Sequence, residues 1–359
     1  MKKYILLLCW GLLGSWLLQA QPERVGQVGA LELLINSMPQ SSGLNGINVA
    51  GVNGIESSQV NPAGVARTTG TELLFGHTLL GMGTDLRINS FGFSQALGSD
   101  GGALGILVNA LDLGDFIRTT PNQPNGELGT FSPTVLNVGL TYARKFTERI
   151  HVGFTARLIN QSTPDLGATG VGFDAGIQYR SGEKDRVKLG ITLRNVGPTM
   201  RFTGDGLSRR TVVESNNDYT TTLALPSEDF EIPATLSMGG SYDFFLSSDM
   251  TLTTLATFIS NSYFYNQGGL GLEWRYKRFV ALRGSFLYEN GIFSETVGPE
   301  GRSSWFTGFS GGATFQIPFN SGKFDASGNP DYSKFSLDLS YRTMSPFTGT
   351  FVIGARIDI

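Results

Sequence analysis

Cysteine is all but missing from this 359-residue chain. Its single copy, Cys9, lies in an apolar stretch near the N-terminus, so the rest has no thiol for a disulfide, a thiolate metal site or a nucleophile. Histidine is nearly as scarce, with only His77 and His151. Neither falls in a serine or metal motif, and two scattered imidazoles without a carboxylate cluster make neither a metal site nor a catalytic pair. The chain therefore reads as a non-enzyme, with no catalytic residue, no metal and no cofactor. Charge is sparse as well: 16% of residues are charged, against about 25% in soluble globular proteins. A formal net charge of −3 gives no footing for nucleic acid. Beyond the N-terminal stretch no run of about 18 apolar residues occurs, so no transmembrane helix is predicted.

That N-terminal stretch, residues 1–20, reads as a secretory signal peptide. Lys2 and Lys3 supply the positive region, Tyr4 to Leu18 the apolar core, and Leu18-Gln19-Ala20 a small-residue cleavage site. Gly11, Gly14 and Ser15 interrupt the core, which is short for a membrane span of about 20 residues. Cys9 lies inside the core instead of at the cleavage point, which argues against a lipoprotein.

What the chain has in quantity is glycine, 48 residues, together with segments that alternate strictly. Leu136, Val138, Leu140 and Tyr142 interleave with Asn137, Gly139, Thr141 and Ala143; Val171, Phe173, Ala175, Ile177 and Tyr179 interleave with Gly172, Asp174, Gly176, Gln178 and Arg180. About ten residues of this alternation, ended by a turn, mark a strand of a closed outer-membrane barrel. Closure is obligatory because lipid cannot hydrogen-bond an open sheet edge. Fourteen such segments run from 71–80 to 348–359, and their connections alternate in length. Short ones follow even-numbered strands, as at 146–148, 182–185 and 247–248. Long ones follow odd-numbered strands, at 113–132, 197–231 and 290–302, and so face outward; 319–332 is the exception, long on the periplasmic side. Tyr142, Tyr179, Tyr242, Trp274 and Tyr276 fall near the periplasmic ends of even strands, where amphipathic rings form a girdle. The predicted fold is all-β, a 14-stranded antiparallel transmembrane β-barrel over 70–359.

Residues 21–69 do not alternate. Glycines punctuate small polar stretches, with one helix-like patch at Leu31, Leu33, Leu34 and Ile35. The apolar content is too globular for a disordered tail, which points to a plug in the lumen. Arg157, Asp174, Lys188, Arg194, Glu273, Arg283, Asp338, Arg342 and Arg356 are expected to face that lumen, either as a network that fills it or as a solute path. The outer loops carry Phe116, Ile117 and Phe131 in one case and Phe202, Leu223, Leu225 and Phe230 in the other. Such residues either offer a partner surface or fold over the barrel mouth. Sequence leaves both open.

Ser41-Ser42-Gly43-Leu44-Asn45-Gly46-Ile47-Asn48-Val49-Ala50, then Asn61-Pro62-Ala63-Gly64-Val65-Ala66, resembles the plug of FadL-like barrels. There a glycine-rich segment leads into an Asn-Pro-Ala-Gly turn before the first strand, and Asn61, Pro62, Ala63 and Gly64 carry over as the plug-to-barrel turn. Glu72-Leu73-Leu74-Phe75-Gly76-His77, Leu111-Asp112-Leu113-Gly114-Asp115-Phe116 and Glu231-Ile232-Pro233-Ala234-Thr235-Leu236 resemble, in that order, the PorV/PorQ branch of the type IX secretion apparatus, PorV more than PorQ. The resemblance implies a barrel seated in outer-membrane lipid that binds proteins instead of conducting solutes. It would take secreted cargo by its C-terminal signal domain from a very large translocon protein and pass it to a surface sortase or attachment complex. The alternative is a FadL-like transporter of hydrophobic compounds, which requires an apolar pocket between plug and wall and a lateral opening. A membrane hydrolase stands a distant third.

Overall fold

The computed structural model describes residues 28–98, 101–120, 122–126, 128–213, 219–294, 301–324 and 330–359. The predicted signal peptide lies outside them. In chain order the strands are β1 (Thr71–Leu79), β2 (Arg87–Ala96), β3 (Ala103–Asp112), β4 (Phe116–Ile117), β5 (Thr130–Phe131) and β6 (Thr134–Lys145). Next come β7 (Ile150–Ser162), β8 (Gly167–Ser181), β9 (Val187–Val196), β10 (Ser208–Val213), β11 (Tyr219–Ala224) and β12 (Thr235–Phe245). The last are β13 (Met250–Asn261), β14 (Gln267–Tyr276), β15 (Val280–Glu289), β16 (Gly308–Phe324), β17 (Pro330–Arg342) and β18 (Thr350–Asp358). Fourteen of them close into one antiparallel barrel; β4–β5 and β10–β11 are separate two-stranded sheets. β18 seals the barrel against β1, from Glu72 opposite Asp358 to Leu79 opposite Phe351.

Alternation builds the two faces. On β8 the outward Val171, Phe173 and Ile177 are exposed for lipid, while the inward Asp174, Gln178 and Arg180 are buried in the interior. The girdle is present: Trp274 and Tyr276 stack 6.2 Å apart near the periplasmic end of β14, and Tyr242 lies 4.7 Å from Phe244. The long periplasmic connection expected at 319–332 is corrected. β16 runs on to Phe324 and β17 starts at Pro330, with Asn320 still opposite Tyr332. The pairing therefore continues well past the length the alternation marks, and short connections lie on the periplasmic side throughout.

Residues 28–70, ahead of β1, occupy the lumen. Among them the regular structure is short turns of helix at Leu31–Leu34, Pro39–Ser42, Ser57–Val60 and Pro62–Arg67. A chain of this length cannot bury its own apolar side chains. The wall does it: Met38, Ile55, Leu74 and Leu107 form one buried cluster, and Leu44, Ile47, Leu255, Ile259 and Leu287 another.

Candidate functional site

The plug is keyed to the wall through glycine. Inward-facing Gly153 of β7 and Gly176 of β8 lie directly opposite one another. A Cβ on Gly153 would overlap the Pro62 backbone, and one on Gly176 would overlap the Asn61 side chain. Beside them, a Cβ on Gly190 would lie 2.5 Å from the Val49 carbonyl oxygen. Ile55 sits over Gly92 and Gly105, at 2.9 and 2.8 Å from their would-be Cβ atoms, and Ile47 over Gly269 and Gly271, at 2.5 and 2.9 Å. Gly43 itself meets Gly312 backbone to backbone. These bare positions are sockets for plug residues. They account for part of the high glycine content, and sequence reading missed them. Their signal was glycine recurring at inward positions of strands, usable once the register is known.

The four turn residues sit at the centre of this seating. Asn61, Pro62, Ala63 and Gly64 are all buried. Asn61 Oδ1 accepts from the Ala63 N–H (3.2 Å), capping the helical turn, while its Nδ2 donates to the Val49 carbonyl (3.0 Å) and to Ile177 of the wall (3.1 Å). Gln178 Nε2 donates to the carbonyls of Val49 (3.1 Å) and Val52 (3.0 Å), Arg194 to Gln59 O (2.7 Å), and Thr257 to Ile47 O (2.6 Å). In the other direction the Ile55 N–H donates to Glu72 Oε2 at 3.0 Å. A strandless backbone survives in the interior because wall side chains take the place of a ladder.

All nine charged residues expected in the lumen face it. Arg157 pairs with Asp174, Lys188 with Asp243 and Arg283 with Glu273, each at 2.6 Å, and Arg356 reaches Glu72 at 3.8 Å. Asp174 also accepts from the Asn195 N–H (2.7 Å) where a register shift interrupts the β8–β9 ladder. The buried acids Glu56 and Glu72 were not anticipated. Glu56 accepts from the Ser41 N–H at 2.5 Å. Its burial, with Asp338 nearby, pushes the Glu56 carboxyl above the ordinary range; the Arg356 guanidinium and the Ser41 N–H act in the opposite direction. His151 is buried on the inner face of β7, whereas His77 points outward and bonds Asn89 at 2.8 Å. Among the described residues no group of three or more histidines or carboxylates could hold a metal ion.

A cavity between Leu33, Ile35, Gln59, Asn109 and Arg157 has about 10 Å³, room for one water. Towards the outer mouth lie two buried apolar clusters. Ile35 packs with Leu80, Ile88, Leu111, Val135 and Met344, and Leu33 with Ile159, Ala168, Met200 and Ile232. Each barrel strand is hydrogen-bonded to both neighbours.

The loop residues divide. Phe202 and Phe230 fold inward onto the Met200–Ile232 layer, their rings 5.4 Å apart. Phe116 and Phe131 stack 5.8 Å apart across the β4–β5 hairpin, with Phe131 half-buried. Ile117, Leu223 and Leu225 stay exposed, at 66%, 53% and 47%. Neither expectation for the loops holds for the whole set: part covers the mouth and part faces solvent.

No protein-family model and no curated protein sequence matches this chain. Solved structures do. The CymD monoaromatic hydrocarbon channel superposes with a TM-score of 0.53 at 16% identity, covering 90% of this chain and 97% of that one. The Ralstonia pickettii toluene transporter TbuX gives 0.50 at 15% identity over 89% and 96%, and the Pseudomonas putida toluene transporter TodX gives 0.51 at 13% over 88% and 96%. Likeness at such identities is likeness of fold. The chain therefore shares with these proteins its fold, a closed fourteen-stranded antiparallel barrel.

Proposed function

We propose that this barrel works at its outer rim, binding a protein partner, and that its finer role is the one the PorV/PorQ resemblance implies. In that role it receives secreted cargo, recognised by a C-terminal signal domain, from a large translocon protein and hands it to a surface sortase or attachment complex. The observation that carries the proposal is the keyed lumen. Plug backbone fits wall glycines that admit no Cβ, and wall side chains bond plug carbonyls, so a solute path demands that many contacts break together. Exposed Ile117, Leu223 and Leu225 give the rim an apolar surface. The test is affinity purification of the tagged barrel from its native membrane. Recovery with a very large membrane protein or an attachment complex supports the proposal; recovery of the barrel alone sinks it.

A second reading is transport of hydrophobic compounds, with the plug as gate. The comparisons lend support to this reading and none to secretion, since the solved neighbours are a monoaromatic hydrocarbon channel and toluene transporters. Apolar layers around Leu33 and Ile35 at the outer mouth suit such an entrance. Fold alone does not carry function, and the closed wall and the bonds between plug and wall weigh against an open path in this state. Uptake of labelled toluene by vesicles holding the purified barrel, above that of empty vesicles, would favour transport.

A further inference from the structure

The β10–β11 hairpin stands on a fixed base. At its foot Met200 and Phe230 bond each other's backbone at 2.8 Å in both directions, and Gly167 and Thr203 do the same at 2.9 Å, tying the loop to the start of β8. Above this foot Ser208 to Val213 pair with Ala224 to Tyr219, and neither strand pairs with any other among the described residues. Arg209, Arg210, Thr220, Thr222, Leu223 and Ala224 are all exposed, so both faces of the hairpin carry open residues among those described. A two-stranded sheet with no cover is marginal in water.

The direction of its free bonds follows from one contact. The Leu225 N–H donates to the Leu207 carbonyl at 2.9 Å, which makes these two a hydrogen-bonded pair just below the hairpin. Bonded pairs alternate along an antiparallel ladder, so Arg209–Leu223 and Thr211–Thr221 are the next two. Thr220, Thr222 and Ala224 therefore turn their N–H and C=O groups away from β10, on an open edge. The two edges differ in protection. β10 carries Arg209 and Arg210, the kind of charge that keeps a strand edge from pairing, whereas Thr220 to Ala224 of β11 has no charge, no proline and no bulge.

We propose that β11 is a docking edge that takes up an extended strand of a partner protein outside the cell. The guest adds a third strand, its main chain bonding Thr220, Thr222 and Ala224. Beside Leu223 it carries an apolar side chain, and beside the threonines β-branched ones, the cross-strand pairs that stabilise a sheet. This rests on the outer-rim docking reading and specifies how recognition occurs there.

The experiment is amide hydrogen exchange on the full-length barrel, in native outer-membrane vesicles and after purification alone in detergent. The Thr220, Thr222 and Ala224 amides should exchange at least tenfold more slowly in vesicles, with those of Thr221 and Leu223 alike in both. Thr222→Pro removes an outward N–H but no hairpin bond. It should abolish the slowing and release the co-purifying protein, while Thr222→Ser retains both; unchanged Thr221 and Leu223 amides show that the hairpin is intact. Equal exchange in the two preparations overturns the proposal. So does slowing in the purified barrel that rises with its concentration, the mark of pairing with a second copy. Removal of 208–224 that releases the partner while Thr222→Pro does not overturns strand addition and leaves rim docking standing. If neither variant releases it, the hairpin is not the docking site.

Discussion

Asn61 of the plug occupies the space that a side chain at Gly176 of β8 would fill, and the same Asn61 donates to the carbonyl of Ile177, the next residue along that strand. One wall position thus supplies room and its neighbour supplies a bond. The plug is admitted in a single seating, because a shift of two residues along the strand, to the next inward position, would present the side chain of Asp174 or Gln178 where the glycine stood.

Gly176→Ala should therefore unseat the plug without opening the barrel. The overpacked site costs about 1–3 kcal/mol. The measurement is the thermal midpoint together with protease cutting of residues 28–67, which should quicken. Gly284→Ala is the control, since its Cβ meets nothing closer than the Ser310 carbonyl at 3.9 Å and the substitution should leave both readings unchanged.

Glu56 makes plug seating sensitive to pH. Its carboxyl is raised by burial first and by Asp338 second, so the seated plug holds a proton more tightly than the free chain does. Stability from this group is present below the unfolded carboxylate range and is lost as pH rises towards the folded value. Glu56→Gln keeps an oxygen for the Ser41 N–H and removes the charge. Between pH 5 and 8 the melting temperature of the variant should fall less than that of the parent, by circular dichroism; equal slopes would falsify the assignment.

The Arg157–Asp174 pair, with side chains 5% and 0% exposed, should behave unlike the Lys145–Glu148 pair, at 47% and 88%. Arg157→Ala strands Asp174 in the interior, a loss of about 3–5 kcal/mol by the usual cost of breaking a buried pair. Lys145→Ala should leave the melting temperature unchanged, because solvent already screens that contact.

At the rim, Ile117→Ser and Leu223→Ser should keep the melting temperature of the parent and lower recovery of partner protein in the affinity experiment. Phe230→Ala should do the reverse in order of effect. Its ring packs over Gly29 and beside Phe202, so it destabilises first, and any loss of partner follows from that.

Much of this was legible in the chain. The β8 segment shows why: lipid on one side and polar interior on the other force a two-residue period that survives in Val171, Phe173 and Ile177. The strand pattern failed where lipid no longer imposes it. Beyond Pro318 the β16–β17 ladder carries on to Phe324 opposite Pro330, over a stretch whose sequence does not alternate. The plug lacked any period because the wall surrounds it, so Met38, Ile47 and Ile55 are buried without lying on one face of a helix or strand. Nor does local composition separate Phe230 from Leu223. One turns inward because the Met200–Ile232 layer lies beneath it, and nothing within a few residues of either encodes that.

The sockets also dictate an order of assembly. Gly43 rests on Gly312, and the Ser310 hydroxyl bonds the Gly43 carbonyl across 267 positions of chain. The plug is made first, yet part of its seat is made last, when β16, β17 and β18 arrive and β18 meets β1. A plug that fits its glycines this closely has no clearance to thread into a finished wall, so the order to be expected is a sheet that closes around it, as a mould around a core.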